Sequence, residues 1–261
     1  MSTEESTVVL STDQAVATVT LNRPAVANTM NLRFGADLLD VARRIAADDA
    51  VRAVVLTGAG KNFCFGGDLR GMVDSGADIT GYLTELTVNL HAAIALFMRM
   101  DAPVIAAVNG TAAGAGLGLV LMADLAIAGK ASKFTAAYTG VALSPDGSNT
   151  FLLPRAVGRK RATELFLTNR VLVAEEALGW GIVNQVVADE ELLSVAHALA
   201  TRLAAGPRGA YGVTKRLLLD AQPGLEAQLA RESQAIAARG TTPEAREGIA
   251  AFLAKRAARY T

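Results

Sequence analysis

The stretch that decides the fold is Val104–Gly118, which reads VIAAVNGTAAGAGLG. An apolar strand is followed by a turn at Asn109-Gly110 and by a glycine-alanine run that enters a helix. The first N–H groups of a helix have no intrahelical acceptor and lie at the positive end of its dipole. Small residues at Gly114–Gly116 let a ligand oxygen approach them. We therefore expect a backbone donor for an anionic oxygen here, and a second one in Phe63–Asp68 (FCFGGD).

The composition limits the class of protein. The chain has 261 residues, of which 51% are hydrophobic and 19% charged, and its formal net charge is zero. This balance argues against nucleic acid or an anionic membrane as a partner. Cys64 is the only cysteine and there are two histidines, so we expect no internal disulfide and no metal site. The start of the chain, MSTEESTVVL, has no hydrophobic signal core, and we expect a cytoplasmic protein.

One apolar segment, Val104–Ala123, is long enough to cross a bilayer. The turn signal at Asn109-Gly110 interrupts it, and three glycines follow at alternate positions. We interpret it as a buried strand, a turn and a buried helix, and expect no membrane span.

Periodicity predicts strands that alternate with helices over most of the chain and then helices alone. A hairpin is expected at Thr7–Ser11 and Ala15–Leu21, turning at Thr12-Asp13-Gln14. Recurring strand-then-helix units favour stacked α/β layers. The further predicted strands are Ala53–Thr57, Val104–Val108 and Leu125–Ala128, and the predicted helices are Asn31–Ala47, Thr80–Arg99, Glu190–Ala205, Gly209–Ala221, Gly224–Arg239 and Pro243–Tyr260.

Several segments together resemble the crotonase (enoyl-CoA hydratase/isomerase) superfamily over essentially the whole chain. They are LNRPAVAN (21–28), FCFGGDL (63–69), PVIAAVNGTAAGAGLGL (103–119), LPRAVGRKRATELFLTNRVLVAEEALGWGIVNQVV (153–187) and AFLAKR (251–256). The resemblance implies a spiral of ββα units over residues 1–200, with the active site, and a helical trimerisation region over 201–261. It also implies an acyl-CoA thioester substrate, no permanently bound cofactor, and a homotrimer or a dimer of trimers.

The resemblance also implies which residues form the site. The N–H groups of Gly67 and Ala115 would form an oxyanion hole. The residues implied in holding coenzyme A, with the last two often reaching a neighbouring subunit, are Ala25, Val26, Ala27, Phe65, Gly66, Gly67, Leu69, Phe252 and Lys255.

Two positions depart from the hydratase pattern. Hydratases of this superfamily carry one glutamate where this chain has Gly118 and a second where it has Tyr138. Since hydration resembles two-carboxylate chemistry, we expect hydratase activity to be weak or absent.

A different acid, Asp146 in LSPDGSNT, lies where enoyl-CoA isomerases carry a single catalytic acid, and the similarity is closest to isomerases of phenylacetate-type pathways. The chain also resembles 4-chlorobenzoyl-CoA dehalogenase. There the acid at this position is a nucleophile, a histidine at the position of His91 assists ester hydrolysis, and a tryptophan replaces Tyr138. A hydratase of low activity and a non-catalytic acyl-CoA binder are further alternatives.

Structural roles are open for the same residues. Asp146 lies in an ordinary turn tetrapeptide, His91 follows Leu90 on a helix with apolar neighbours, and Tyr138 could fill a core gap. We expect Cys64 to be an inert buried thiol and Asp68 to cap a helix. The walls of the acyl pocket are expected from 73–86 and from Phe97, Tyr138 and Phe151.

Overall fold

A computed structural model of the chain describes residues 6–221 and 224–260. Over these residues, nine strands form two sheets. The strands are β1 (Val8–Asp13), β2 (Val16–Leu21), β3 (Ala53–Gly58), β4 (Val104–Val108), β5 (Thr111–Ala113), β6 (Leu125–Gly129), β7 (Lys133–Thr135), β8 (Leu172–Val173) and β9 (Gln185–Val187). The expected α/β class is confirmed.

The larger sheet has the order β1-β2-β3-β4-β6-β9. Only the β1–β2 hairpin is antiparallel, and the other neighbours pair in parallel. Every residue of β3 and β4 is buried. Parallel strands covered on both faces are expected to be continuously apolar, as AVVLTG and VIAAV nearly are.

Helices pack on both faces of this sheet, in two separate cores. The described helices are α1 (Leu32–Ala47), α2 (Leu69–Asp74), α3 (Ile79–Arg99), α4 (Ala115–Met122), α5 (Asn149–Val157), α6 (Arg159–Thr168), α7 (Ala174–Trp180), α8 (Leu192–Ala204), α9 (Arg208–Leu219), α10 (Leu225–Gly240) and α11 (Pro243–Leu253). Alternate residues of β3 divide between two cores: Val54 and Leu56 pack with α1 and α3, whereas Val55 packs with α8.

The smaller sheet, β5-β7-β8, positions the site. β5 follows β4 after a turn, and α4 begins two residues after β5 ends. Short parallel bridges join Met30 to Gly67 and Cys64 to Ala112, so the segment after β3 lies alongside β5. The two glycine-containing segments that the sequence singles out are thereby brought side by side.

Two predicted boundaries are wrong. The hairpin turns at Gln14-Ala15 rather than Thr12-Asp13-Gln14, because Gln14 takes the left-handed backbone conformation (φ 52°). The last helix ends at Leu253 and not at Tyr260, with a left-handed residue at Lys255 soon after. Alanine-rich sequence supports a helix without marking where it stops.

Some predictions stay predictions. The division at residues 200 and 201 falls inside α8. The acidic start of the chain includes residues 1–5, which lie outside the described residues, as do residues 222–223 between two predicted helices. Among the described helices, none is long and apolar enough to cross a membrane.

Candidate active site

A cavity of about 550 Å³ lies where α4 begins, beside the segment that precedes α2. Its walls are mostly apolar, and Asp146 is the only charged residue among the described residues that line it. Gly67, Ala115 and Tyr138 line the same cavity. Four residues predicted to do chemistry are therefore brought together from distant parts of the chain.

The backbone at Gly67 and Ala115 is arranged to present N–H groups. Met30 holds the segment before Gly67, donating its N–H to the Gly66 carbonyl over 2.8 Å. Gly66 (φ +81°) and Gly114 (φ +55°) both have left-handed backbones, and a Cβ on Gly66 would lie 3.1 Å from the Ala115 nitrogen. Within the described residues, neither the Gly67 nor the Ala115 N–H has a protein acceptor. Two such N–H groups can stabilise an oxyanion on a bound ligand.

Asp146 is held by Tyr138. The tyrosine hydroxyl donates to Asp146 Oδ1 over 2.8 Å, and its side chain is buried, whereas the Asp146 side chain is 31% exposed. Burial, followed by the neighbouring Asp146 carboxylate, raises the pKa of Tyr138 well above its ordinary value. The phenol therefore remains a proton donor to Oδ1, which leaves Oδ2 available for a reacting proton.

His91 lies on the other side of the carboxylate. Its Nε2 is 3.5 Å from Asp146 Oδ2 and accepts the Gly147 N–H over 3.2 Å. Accepting this bond assigns the proton of the neutral imidazole to Nδ1. The side chain is 48% exposed, although the preceding Leu90 is buried. His91 is thus a potential base beside Asp146 and does not belong to the buried face of α3.

Asn149, the first residue of α5, is completely buried and was not identified from the sequence. Its Nδ2 lies 2.9 Å from the Asp146 carbonyl, 3.1 Å from the Tyr138 hydroxyl and 3.2 Å from the Gly114 carbonyl. An asparagine near the start of a helix is usually interpreted as a cap. The available signal was its place three residues after Asp146, but only the tertiary contacts reveal its burial.

Gly118 has no room for a side chain. A Cβ there would lie 2.2 Å from the Gly147 carbonyl oxygen and 2.9 Å from Asn149 Nδ2. The loop that carries Asp146 fills the space that a glutamate at this position would need. The two positions that depart from the hydratase pattern therefore contact the same loop: Gly118 packs against Gly147, and the Tyr138 hydroxyl donates to Asp146.

The residues implied in coenzyme A binding fall into two groups. Ala25–Ala27 lies beside the mouth of the cavity, because the Ala27 carbonyl accepts the Phe65 N–H over 3.1 Å. Phe65 and Leu69 line the cavity and are 45% and 49% exposed. In this chain, Phe252 and Lys255 are not among the described residues that line it, and Phe252 is 83% exposed.

The pocket walls were predicted only in part. Leu83 and Leu86 line the cavity as expected, together with Met72, whereas Phe97 and Phe151 do not. Phe97 is completely buried on the core face of α3. Phe151 lines a separate cavity of about 410 Å³, with Lys215.

Two structural predictions are confirmed. Cys64 is buried, its Sγ donates to the Asn28 carbonyl, and burial raises the pKa of the thiol to about 12. Asp68 accepts the Arg70 and Gly71 N–H groups at the start of α2. The described residues contain no cluster of three or more potential metal ligands.

The sequence of this chain is similar to a known protein family and to several of its characterised members. A family model described as enoyl-CoA hydratase/isomerase matches residues 11–261. The 1,2-epoxyphenylacetyl-CoA isomerase of Escherichia coli K12 is 39% identical over 254 residues, which cover 95% of this chain and 96% of that protein. The 4-chlorobenzoyl coenzyme A dehalogenase-2 of Arthrobacter sp. is 35% identical over 242 residues, 92% of this chain and 88% of that protein.

Solved structures show the same relationship. The crystal structure of an enoyl-CoA hydratase from Polaromonas sp. JS666 superposes with a TM-score of 0.93 at 31% identity, covering 97% of this chain and 99% of that chain.

Proposed function

The chain belongs to the enoyl-CoA hydratase/isomerase family of crotonase-fold enzymes, and from that premise we propose that it shifts the double bond of an enoyl-CoA through a thioester enolate. Enzymes of this family act on CoA thioesters, so coenzyme A enters as part of the substrate. Both the predicted family and the predicted fold are confirmed by the comparisons.

The observation that carries the proposal is the single carboxylate. Asp146 lines the same cavity as the two unpaired N–H groups, and Gly118 cannot carry a second acid. One carboxylate is enough for a double-bond shift, because the same group can remove one proton and return it elsewhere. Hydration of an enoyl thioester also requires a water that a second carboxylate positions and deprotonates. Among the described residues that line this cavity, Asp146 is the only carboxylate.

The proposed reaction starts from a 3-enoyl-CoA. Asp146 takes a proton from C2, and the electrons of that C–H bond form the enolate, whose charge develops on the thioester oxygen between the N–H groups of Gly67 and Ala115. When the carbonyl re-forms, the double bond moves to C2–C3 and C4 takes the proton back from Asp146. Preorganised donors stabilise the charge that appears in the transition state more than the ground state.

The cavity supports an uncharged acyl group. Its walls include Met30, Met72, Leu83, Leu86, Leu90, Val141 and Leu143. A second carboxylate on the substrate would be buried against these side chains without a counter-ion.

A second candidate is hydrolysis or dehalogenation of an aryl-CoA, with Asp146 as the nucleophile. The specific observation in its favour is the position of the His91 imidazole, whose Nε2 lies 3.5 Å from Asp146 Oδ2. Such a base could activate water for attack on an aryl ester of the aspartate.

The proposed setting is a cytoplasmic homotrimer or dimer of trimers. Large apolar side chains on α9–α11 are exposed, including Leu218, Ile236, Phe252 and Leu253 at 74–83%. Subunit contacts would cover them, and they would also bring Phe252 and Lys255 to a neighbouring subunit's coenzyme A.

Proton exchange tests the proposal. Saturated and 3-enoyl thioesters of straight-chain and aryl acids are incubated in D₂O, and the α position is followed by NMR. We expect exchange and double-bond migration that fall by about 10²–10⁴-fold in Asp146→Asn. Asp40→Asn, an exposed carboxylate on α1, is the matched control. Bound thioesters that never exchange would exclude the isomerase, whereas an aryl adduct on Asp146, seen by mass spectrometry, would support the second candidate.

A further inference from the structure

We infer that Asn149 is a positioning residue that couples the Asp146–Tyr138 pair to the oxyanion hole. The inference rests on the proposed function, because it concerns how that site is held. The Asn149 amide contacts both halves of the site: the Asp146 carbonyl and the Tyr138 hydroxyl on one side, and the Gly114 carbonyl on the other.

Chemistry fixes the orientation of this amide. The two carbonyl oxygens can only accept, and the hydrogen of the Tyr138 hydroxyl is already engaged in its bond to Asp146 Oδ1, so this hydroxyl can only accept from Asn149. All three groups therefore require the NH₂ end of Asn149. An oxygen at that point would face three acceptors in a completely buried place, where unpaired polar groups are costly.

The contact with Gly114 reaches the oxyanion hole directly. The Gly114 carbonyl and the Ala115 N–H belong to the same peptide group. A hydrogen bond to the carbonyl polarises the peptide and strengthens its N–H as a donor, by about 10–30% per bond in condensed-phase estimates. Asn149 thus improves the donor that faces the thioester while it holds the phenol that orients the base.

Gly118 leaves room for the Asn149 amide because it has no side chain. A Cβ at that position would lie 2.9 Å from Asn149 Nδ2, so the amide occupies space beside the place where hydratases of this superfamily carry their glutamate. In this chain, an uncharged amide, whose two N–H hydrogens are shared among three acceptors, stands in the vicinity of the missing acid. It holds the remaining acid without adding a second titrating group.

Asn149→Leu tests the coupling, because it keeps nearly the same size and removes the donors. We expect the exchange rate of the α proton to fall about 10–100-fold, as for the loss of buried hydrogen bonds, while binding of a saturated acyl-CoA is retained. The double variant with Tyr138→Phe should lose less than the product of the two single losses. Asn184→Leu, which removes an exposed asparagine whose Oδ1 accepts the Ala126 N–H, is the matched control for the loss of an asparagine hydrogen bond elsewhere.

The vibrational spectrum of a bound thioester provides a readout that does not need turnover. With a ¹³C-labelled carbonyl in a saturated acyl-CoA, the C=O stretch should move to lower frequency on binding. Asn149→Leu should reverse part of this shift, whereas Tyr138→Phe should leave it. If the unmodified protein exchanges no thioester proton, the isomerase proposal fails, and the carbonyl stretch still decides the role of Asn149.

Asn149→Asp gives an independent test if the leucine variant does not fold. The ionised carboxylate would face three acceptors, and its protonated form could donate one hydrogen bond again. Exchange by this variant should therefore rise, relative to the unmodified protein, as the pH falls. A pH profile that matches the unmodified protein, additive losses in the double variant, or an unchanged carbonyl stretch in Asn149→Leu would each overturn the inference.

Discussion

Replacing Gly118 by alanine should disable the site through the backbone of the Asp146 loop. The new Cβ would lie 2.2 Å from the Gly147 carbonyl oxygen, closer than real Cβ atoms approach, and the contact is with backbone and not with a flexible side chain. The loop must retreat by roughly 1 Å, and misplacement of a catalytic group on that scale costs about 100-fold in rate. Because Gly147 follows Asp146 and donates to His91, both groups move with it.

The effect on stability is expected to be smaller than the effect on rate. Overpacking costs about 1–3 kcal/mol, and replacing a glycine inside a helix by alanine returns about 1 kcal/mol. Gly179→Ala in α7 is the matched control, because no atom lies within 4 Å of its new Cβ. Exchange rates and thermal unfolding of both variants are the measurements. Gly118→Ala with an unchanged exchange rate and melting temperature would refute the packing described here.

Two further predictions concern buried polar groups. Tyr138→Phe should slow exchange about tenfold by releasing Asp146 Oδ1. The pKa of Tyr138 is raised above 10, so Tyr138 does not contribute to tyrosinate absorbance near pH 10, and the variant should keep whatever absorbance the unmodified protein shows there. Because the pKa is raised in the folded state, the stabilisation by this hydroxyl is complete below pH 10 and is lost as the pH rises through the higher folded-state pKa. If the variant loses tyrosinate absorbance near pH 10, the raised pKa of Tyr138 is contradicted. Lys215→Met should destabilise the fold by about 3–5 kcal/mol in chemical unfolding, since it removes the counter-ion of Asp124, 2.8 Å from Nζ, and the donor to the carbonyls of Phe97 and Ala102. Of its partners among the described residues, Asp124 would keep only the Val104 N–H. An unchanged unfolding midpoint would show that water replaces the ammonium there.

The sequence predicted what is local and periodic. The strand at Val104–Val108 is reproduced to the residue, and α1 begins at Leu32, with Asn31 as its cap, because the side chain accepts the Phe34 N–H. Apolar runs and caps act over a few residues, so they can be interpreted without knowing the fold. The end of α11 could not be predicted in this way, since helix propensity continues beyond Leu253.

Family resemblance supplied the register for the candidate site, whose catalytic roles stay a prediction. Gly67, Ala115, Tyr138 and Asp146 line one cavity, but no local pattern relates them. The role of Asn149 depends on contacts between α5, the Asp146 loop and Gly114, and the exposure of His91 depends on which side of α3 meets that loop. Such contacts are tertiary, and a single sequence does not encode them as a spacing.

The distribution of the site over three chain segments also has a consequence for folding. Gly67 follows β3, Ala115 follows β5 and Asp146 follows β7, and parallel pairings and short bridges between distant segments bring them together. Non-local pairings of this kind form slowly, because closing long loops costs entropy before any contact is gained. During refolding, the proposed proton exchange should therefore return only after most helical circular dichroism has recovered, which would make it a reporter of the finished parallel sheet.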